Sequence, residues 1–507
     1  MFKGHPRGLI AASLANMGER FGFYTMMAIL SLFLMSKFGL DETGSGWIYS
    51  TFYFSIYGMA FFGGLIADKT RNYKGTILTG LVLMSLGYLI LSIPINVNES
   101  NRTILIVLTC FALFTISFGN GMFKGNLQAL VGQMYDNPKY QSKRDSGFSL
   151  FYMFINVGAI FAPFIAPAIR NWWLSRSGFS YDANLPALCH QYIAKGTAMG
   201  EQALESFQSL VSTVSSTGMP ADLSAFSTKY LDTFNTGFHY SFAIAIIAML
   251  ISMSIYIFNK KGFPDPADKR VASGEGPVVE MPLAEVKQRI YALLAVFGVV
   301  IFFWFSFHQN GLTLTFFAKD YTLLKIAGYE ITAEMFQSVN PFFVVFLTPV
   351  VMAFFGWLRA KGKEPSTPGK IAIGMGIAAF AYILMTVVSF GLPDLSDVRT
   401  AGGLSDAQKV TPFLLIGTYL ILTIAELFIS PLGISFVSKV APPKLQGVMQ
   451  GMWLLATGIG NQLLIIGAIF YKSIPIWATW SIFVVACGLS MLTMILMLKW
   501  LERVSRQ

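Results

Sequence analysis

Charged residues are scarce in this chain of 507 residues. Asp, Glu, Lys and Arg together make up 12% of it and the mean hydropathy is +0.59, whereas a soluble domain carries about 25% charged residues. This scarcity excludes an ordinary soluble protein. Apolar runs of roughly 18 residues or more recur along the chain, and each is long enough to cross a hydrocarbon core about 30 Å thick. The sequence therefore predicts an all-α membrane protein that crosses the bilayer many times.

Cysteine and histidine are also rare, with three and four copies. Cys110, Cys189 and Cys487 cannot make a disulfide framework, and no metal-ligand spacing occurs, so we expect neither a metal nor a cofactor. The sequence has no nucleophile–base pair or nucleotide loop placed at a membrane face, which argues against a membrane enzyme. The first apolar run lacks a small-residue cleavage site. We therefore interpret it as a membrane span and not as a removable signal peptide.

The net charge of +10 could indicate a nucleic-acid partner, but its distribution argues otherwise. Basic residues concentrate in alternate loops, at 69–74, 139–144, 260–270 and 359–370. This is the positive-inside pattern of membrane proteins. It predicts a multi-pass protein of the cell (inner) membrane, surrounded by lipid, with both termini in the cytoplasm and no nucleic-acid partner.

Twelve spans are predicted, and an even number agrees with termini on one side. They cover about 8–36, 46–67, 76–96, 103–132, 147–169, 238–258, 288–318, 334–357, 368–391, 410–438, 447–471 and 475–498. The stretch 259–287 is rich in Pro, Gly and charge and is typical of a linker. We therefore predict two six-helix halves, 1–258 and 288–507, joined by a cytoplasmic linker. Residues 170–237 form one long polar loop outside, which we interpret as a surface elaboration.

Two six-helix halves with a central linker are typical of the major facilitator architecture, in which the binding site lies near the midplane between the halves. A polar stripe in span 1 agrees with such a site, because Asn16, Glu19 and Arg20 are spaced to share one helix face. Only four formal charges lie deep in the predicted spans: Glu19, Arg20, Lys124 and Glu426. Unpaired, they would cost about 10 kcal/mol together. We expect them to pair with one another or to face water and substrate.

Several short strings resemble motifs of known transporters. After span 2, GGLIADKTRNYKG resembles the loop motif of the major facilitator superfamily at Gly64, Asp68, Lys69 and Arg71, where Gly64 would allow close helix approach and Asp68 would contact a helix N-terminus and basic partners. NMGERFGFY in span 1 resembles the signature E-x-x-E-R-F-x-Y-Y of the proton-dependent oligopeptide transporter family. Similar matches to that family are GMFKGNLQALVG in span 4, FYMFINVGA in span 5, SVNPFF in span 8 and AELFISPLG in span 10. The chain is identified as a divergent member of that family.

The resemblance implies a fold, a function and a site. It implies the major facilitator fold, with twelve transmembrane helices in two six-helix halves, and a symporter that imports di- or tripeptides with protons by alternating access. We expect it to be a monomer. Proton coupling would involve Glu19, Arg20, Lys124 and His308. The substrate site would contain Arg20, Tyr24, Tyr57, Lys124, Asn156, Trp304, His308, Asn340, Glu426 and Trp453.

Individual roles follow from the same resemblance. Glu19, Arg20 and Lys124 would form one cluster in the N-terminal half. Glu426 would hold the substrate amino group from across the cavity. The amides of Asn156 and Asn340 would bind the peptide backbone or its amino end, because an amide both donates and accepts hydrogen bonds.

Three positions depart from the family pattern. Asn16 stands where the family has Glu, Met27 where it has Arg, and His308 where it has Glu. In the family the last two form an ion pair between the halves, and replacing both partners of such a pair can be neutral. We therefore expect this gate to close without a salt bridge. His308, the only histidine deep in a predicted span, could replace the lost Glu as a proton site, or Glu19 could carry the proton alone.

Two alternatives stay open. The first keeps the fold but changes the solute to a peptide-like or other small amphipathic molecule with altered or lost proton coupling, because Met27 and His308 differ from the family. The second is a non-transporting sensor or scaffold subunit. Retention of the four charges deep in the spans argues against the second alternative.

Overall fold

The computed structural model describes residues 5–70, 72–134, 139–140, 144–264, 282–442 and 446–506. These residues contain twelve helical segments long and apolar enough to cross a membrane, which confirms the predicted number. Numbered in chain order, spans 1 to 12 are Arg7–Phe38, Glu42–Thr70, Tyr73–Ser92, Arg102–Met134, Arg144–Arg176, Leu223–Asn259, Leu283–Phe307 with its continuation Thr313–Tyr321, Val339–Ala360, Thr367–Ser389, Pro412–Val440, Gln446–Gln462 with its continuation Leu464–Ser473, and Ile476–Arg506.

The predicted outside segment 170–237 is helical at both ends. Span 5 continues to Arg176 and span 6 begins at Leu223, so residues 177–222 alone connect them. Hydropathy marks only the part of a helix inside the hydrocarbon core, whereas these two helices continue beyond it. The side chain of Asp222 fixes the start of span 6, because it accepts hydrogen bonds from the N–H groups of Ser224 and Ala225 at 2.9 and 3.0 Å.

The connection 177–222, named the cap below, contains the two helices Leu185–Lys195 and Glu201–Val214. The end of the bundle that carries the cap is named the loop end. The opposite end carries the first residues of span 1 and the last of span 12, and is named the terminal end. Two other short elements connect spans of the second half: a hairpin of Lys325–Ile326 with Tyr329–Glu330, and the helix Leu395–Thr400.

Each set of six spans packs as a bundle, and the two bundles meet along a seam formed by spans 2 and 11 and by spans 5 and 8. Glycine allows the closest approach within the first bundle. A Cβ on Gly63 of span 2 would lie 2.2 Å from the carbonyl oxygen of Gly121 in span 4. The division into 1–258, 259–287 and 288–507 stays a prediction, and most of its linker, residues 265–281, lies outside the described residues.

Two spans of the second bundle change their helical geometry beside the seam. Span 7 passes from α-helix to a 3-10 turn at His308–Gly311, and the α-helix of span 11 is interrupted after Gln462. Neither break was predicted, because each lies inside one predicted span, 288–318 or 447–471. His308 and Asn461, one beside each break, are in contact.

Candidate functional site

A cavity of about 330 Å³ lies in the seam between the two bundles. Its lining includes all ten residues that were predicted for the substrate site, namely Arg20, Tyr24, Tyr57, Lys124, Asn156, Trp304, His308, Asn340, Glu426 and Trp453. The structure therefore brings these residues together around one space. Their individual roles stay predictions.

Glu19 and Arg20 form a buried ion pair on the first-bundle side of this cavity. The Arg20 Nε and Nη2 atoms donate to the two carboxylate oxygens of Glu19 at 2.5 and 2.6 Å. Asn120 donates a third hydrogen bond to Glu19 at 2.7 Å. Glu19 is fully buried and does not line the cavity, whereas Arg20 does. Asn120 was not anticipated, although it lies one helical turn before Lys124 on the same face of span 4.

Lys124 lies near Glu19 and Arg20, as the predicted cluster requires, but it does not join their ion pair. In the described part of the chain no carboxylate lies within 4.0 Å of its ammonium group. The Lys124 Nζ atom instead lies 4.8 Å from the ring centroid of Tyr57, in a cation–π contact. The physical reason is that Arg20 and Asn120 already bond the oxygens of Glu19. Lys124 therefore adds a second cation, next to Arg20, to the wall of the cavity.

The opposite wall carries the carboxylate of Glu426. Asn340 donates hydrogen bonds to Glu426 Oε2 and to Thr423 Oγ1, each at 2.9 Å. Among the described residues, no cation lies within 4.0 Å of Glu426. Tyr24 of span 1 lines the cavity together with Arg20 and Glu426 and interacts electrostatically with both. The cavity thus presents cations on one wall and an anion on the other.

His308 is held on the second-bundle side of the cavity. Its Nδ1 atom lies 2.5 Å from Asn461 Oδ1. Its ring stacks on Trp304 at 4.7 Å between centroids and contacts Tyr53 at 4.8 Å. Asn461 was missed, although a single Asn within the apolar run of span 11 is a polar signal of the kind used for span 1.

A second buried histidine lies in span 6, close to the loop end of the bundle. His239 lies in span 6, is 4% exposed, and has its Nε2 atom 2.5 Å from Lys37 Nζ. Its Nδ1 atom lies 2.5 Å from the carbonyl oxygen of Leu91. Lys37 and Leu91 are the next-to-last residues of spans 1 and 3, so His239 lies at the loop end of the bundle and not in its middle. His239 does not line the cavity.

The gate at the loop end contains salt bridges, contrary to the expectation that it closes without one. The Arg170 Nη1 atom of span 5 lies 2.5 Å from Glu334 Oε1 of the second bundle, and both side chains are fully buried. Met27 and His308 line the cavity instead. The sequence did not reveal this pair, because its members lie at helix ends beyond or at the limits of the predicted spans and are far apart in the chain.

Two further ion pairs join the bundles at the same end. Glu42 pairs with Arg399, and Asp41 pairs with Lys472. The cap adds a hydrogen bond from Ser206 Oγ to the carbonyl oxygen of Ala401, at 2.6 Å. A second cavity of about 240 Å³ lies among these groups.

The main cavity is open in the other direction. Among the residues that line it, Gly125, Gln128 and Leu454 on the terminal side are exposed, whereas Tyr49 and Phe307 on the loop side are buried. The ion pairs between the bundles that are described above all lie at the loop end. The structure is therefore sealed at the loop end and accessible from the terminal end.

The loop motif predicted after span 2, at Gly64, Asp68, Lys69 and Arg71, lies only partly within the described residues. Gly64 lies in span 2, but nothing lies within 4 Å of a Cβ placed there. The expected close approach of helices at Gly64 is therefore wrong, because the neighbouring Gly63 faces span 4 instead. Arg71 and the side chains of Asp68 and Lys69 lie outside the described residues.

Comparison with known proteins places this arrangement in a family. The family model described as POT family matches residues 74–194 and 278–479, which is more than half of the chain. The chain belongs to the POT family. It is 29% identical over 474 residues to the peptide transporter YePEPT of Yersinia enterocolitica subsp. palearctica, covering 91% of this chain and 87% of that protein.

Other relatives agree with this membership. The chain is 26% identical over 471 residues to the dipeptide and tripeptide permease B of Xenorhabdus bovienii, covering 90% of this chain and 86% of the relative. A crystal structure of a peptide transporter POT in complex with sulfate superposes with a TM-score of 0.72 at 22% identity, covering 100% of this chain and 96% of that one. A crystal structure of a POT family transporter in complex with 5-aminolevulinic acid superposes with a TM-score of 0.72 at 22% identity, covering 99% of this chain and 98% of that one. The fold is that of the major facilitator superfamily, and this POT family member is a transporter and not an enzyme.

Proposed function

We propose that this POT family member is a proton-coupled symporter that imports di- and tripeptides by alternating access. The observation that carries the proposal is the charge arrangement of the cavity. Arg20 and Lys124 face it from one bundle, and the carboxylate of Glu426 faces it from the other with no cation within 4.0 Å in the described part of the chain. A zwitterionic peptide carries one carboxylate and one ammonium group, and both would find an opposite charge there.

The neutral polar groups fit the middle of such a ligand. Asn156 and Asn340 line the cavity on opposite sides of the seam, and each amide can donate to and accept from a peptide bond. Tyr24, Tyr57, Trp304 and Trp453 would supply apolar surface for peptide side chains of different sizes. A volume of about 330 Å³ suits a short peptide and excludes a folded protein.

The sealed loop end supports an alternating-access cycle. With both termini in the cytoplasm and the protein in the cell (inner) membrane, the cavity described here would face the cytoplasm. Import then requires that the ion pairs at the loop end separate to admit the peptide. We infer that the transporting unit is a single chain, because one chain supplies both walls of the cavity.

A proton site in the cavity would supply the driving force. One charge moved through 100 mV is worth about 2.3 kcal/mol, which supports a gradient of roughly fiftyfold. Glu19 already accepts three hydrogen bonds and is fully buried, so it has no free oxygen to present to the cavity. His308 lines the cavity. This difference favours His308 over Glu19 as the proton-binding group in the conformation described.

The test is uptake of a labelled dipeptide by liposomes that contain the purified protein, with and without an imposed pH gradient. We expect accumulation that requires the gradient. Exchange that ignores the gradient would show that proton coupling has been lost. No uptake of any di- or tripeptide would favour the non-transporting sensor or another solute.

Matched variants connect the result to the cavity. Glu426→Gln should reduce uptake of the free dipeptide by at least tenfold, because the ammonium group loses its counter-charge. It should change competition by an N-acetylated dipeptide little, since that analogue has no ammonium group. The control Glu330→Gln makes the same change at an exposed position of the hairpin and should leave both values unchanged.

A second candidate is a small amino acid-like solute that is not an α-peptide. The observation that favours it is Met27, which lines the cavity where the resemblance expects a cation for the substrate carboxylate. A solute such as 5-aminolevulinic acid, which a related structure contains, places its charges differently from a peptide. Competition between this solute and a dipeptide in the same liposomes decides between the two candidates.

A further inference from the structure

The contact with Asn461 determines which ring nitrogen of His308 carries a hydrogen. The Asn461 side chain is fully buried, and its Oδ1 atom lies 2.5 Å from His308 Nδ1. An amide oxygen accepts hydrogen bonds and cannot donate them. The Nδ1 atom of His308 must therefore carry the hydrogen. A neutral imidazole with a hydrogen on Nδ1 has a lone pair on Nε2.

The rest of the contact geometry keeps this ring in place. The ring lies between Trp304, at 4.7 Å and an interplanar angle of 23°, and Tyr53, at 4.8 Å and 42°. Asn461 holds one edge, so the ring cannot rotate without losing this bond. In the described part of the chain no hydrogen-bond partner is found for Nε2, and His308 lines the cavity. The free lone pair is thus directed to the space where a ligand would bind.

The groups that face His308 include several charges. Lys124 of span 4 interacts with it electrostatically, and Arg20 and Glu426 line the same cavity. The hydroxyl-bearing ring of Tyr53 packs on it from span 2. Two cations oppose a third positive charge on the imidazole. A substrate carboxylate that neutralises them would therefore make proton uptake by His308 more favourable.

We propose that Asn461 is a positioning residue that presents His308 Nε2 to the cavity as a proton acceptor and so sets the pH range in which peptide uptake is proton-driven. The inference rests on the proposed function, since it names the residue that tunes the proton site. It places the coupling proton on the side of the cavity opposite to Glu19.

Two variants of Asn461 should move the titration of His308 in opposite directions. Asn461→Asp places a carboxylate beside Nδ1–H and stabilises the imidazolium, so His308 should titrate about one to two pH units higher. Asn461→Leu removes the acceptor, and His308 should titrate about one unit lower. Asn259→Asp, at an exposed position of span 6, is the matched control and should have no effect.

The first readout is nitrogen NMR of the purified protein with labelled histidine. The chain has four histidines, and His308→Gln identifies the signal of His308 by its loss. We expect the Nδ1–H tautomer in the unaltered protein and the two opposite shifts in the variants. An Nε2–H tautomer, or a titration that neither variant moves, would overturn the inference even if peptides are transported normally.

The second readout is the pH profile of dipeptide uptake in liposomes. It should move in the same direction as the NMR titration for each variant, while uptake at the optimum changes less than its pH dependence. If the NMR titration moves and the uptake profile does not, the assignment of His308 as the coupling site is wrong. If the unaltered protein takes up no peptide at any pH, the proposed function fails, and the NMR result alone decides the positioning role of Asn461.

Discussion

The seam between the bundles is built differently at the loop end and around the main cavity. At the loop end three ion pairs between described residues cross the seam, each with one member in each bundle. Around the cavity the charges are bonded within their own bundle: Glu19 to Arg20, and Glu426 to Asn340. Crossing pairs hold the bundles closed without any ligand. The charges at the cavity are left for a ligand that can itself connect the two bundles.

The three crossing pairs also differ among themselves in burial. Arg170 and Glu334 are fully buried, Glu42 is fully buried but Arg399 is 37% exposed, and the last pair is more exposed still. Breaking a buried pair by removing one partner costs about 3–5 kcal/mol, whereas an exposed pair contributes about 0–1 kcal/mol. Closure of the loop end should therefore depend mostly on its innermost pair.

The largest effect is expected when the ion pair between Glu19 and Arg20, within the first bundle, is broken. Arg20→Met removes two of the three hydrogen bonds to Glu19 and leaves a buried carboxylate without a cation, at a cost of about 3–5 kcal/mol. It also removes a cation from the cavity. We expect a strongly lowered unfolding temperature in detergent and a loss of dipeptide uptake in liposomes.

Two companion variants separate these effects. The double variant Glu19→Gln with Arg20→Met removes the stranded charge and should recover most of the stability but none of the uptake. Arg20→Lys keeps the charge and should retain more stability than Arg20→Met. Equal stability of Arg20→Met and the unaltered protein would contradict the importance of the buried pair.

A smaller effect is expected when the innermost crossing pair is broken. Glu334→Gln leaves the Arg170 guanidinium buried without an anion while the loop end is closed, but water can solvate it when that end opens. A change of about 3 kcal/mol would shift the closed–open equilibrium by roughly a hundredfold. Spin labels at the exposed residues Glu99 and Tyr329, with the native cysteines replaced, should then report longer distances across the seam.

The control for this measurement is Glu201→Gln, which makes the same change at an exposed position of the cap. It should leave the distance distribution unchanged. Unaltered distances in Glu334→Gln would show that the apolar contacts of spans 5 and 8 close the seam without help from the pair.

The sequence could predict the spans and the cavity residues of this seam better than the contacts between its residues. The number of spans follows from apolar length, and the candidate cavity residues stood out because charge and amides are costly in a membrane. The contacts that these residues make with one another could not be predicted from the sequence. That Lys124 contacts Tyr57 and not Glu19 depends on Asn120 occupying the carboxylate, which is a feature of three-dimensional packing.

The loop end was predicted least well for a related reason. Arg170 and Glu334 lie at the ends of helices, where charges are common and individually uninformative. Their pairing joins residues that are 164 positions apart, and no local pattern encodes such a distance. The same applies to His308 and Asn461, which are 153 positions apart and meet where spans 7 and 11 are both interrupted.

A weaker contact ties the cap to the first bundle. His190 Nε2 donates to the carbonyl oxygen of Ser36 at 2.6 Å. Burial lowers the pKa of His190 below its ordinary value of 6.5, the bond to Ser36 opposes this, and the nearby Arg102 reinforces it. The docked cap therefore favours neutral His190. Its contribution is complete above pH 6.5 and is lost as pH falls through the lowered pKa.

Hydrogen exchange of the cap helix Leu185–Lys195 measures this contribution. We expect faster exchange at pH 5 than at pH 7.5 after correction for the intrinsic rate, equivalent to about 1 kcal/mol at most. His190→Gln can still donate a hydrogen bond but does not titrate, so the difference between the two pH values should disappear. His5→Gln, near the terminal end, should preserve it.

The smallest effect is expected at the outermost crossing pair. Asp41 and Lys472 are 39% and 42% exposed, so Lys472→Met should weaken closure by about 0–1 kcal/mol. Burial alone would raise the pKa of Asp41. The hydrogen bonds from Lys472 and from the N–H of Gly44 lower the pKa by more than burial raises it, so it lies below the ordinary value of 3.8. The pair therefore contributes fully above pH 3.8 and weakens only as pH falls through the lowered pKa.

The same spin labels test this pair against the others. In the unaltered protein, salt should lengthen the distances slightly because exposed charges are screened within about 10 Å at 0.1 M, and Lys472→Met should abolish that part of the salt dependence. Between pH 5 and 7 this pair should contribute no pH dependence, in contrast to the docking of the cap through His190. If Lys472→Met weakened closure as much as Glu334→Gln, the buried pair would not contribute more to closure than the exposed pair. The main closing contact of the loop end would then lie at its surface.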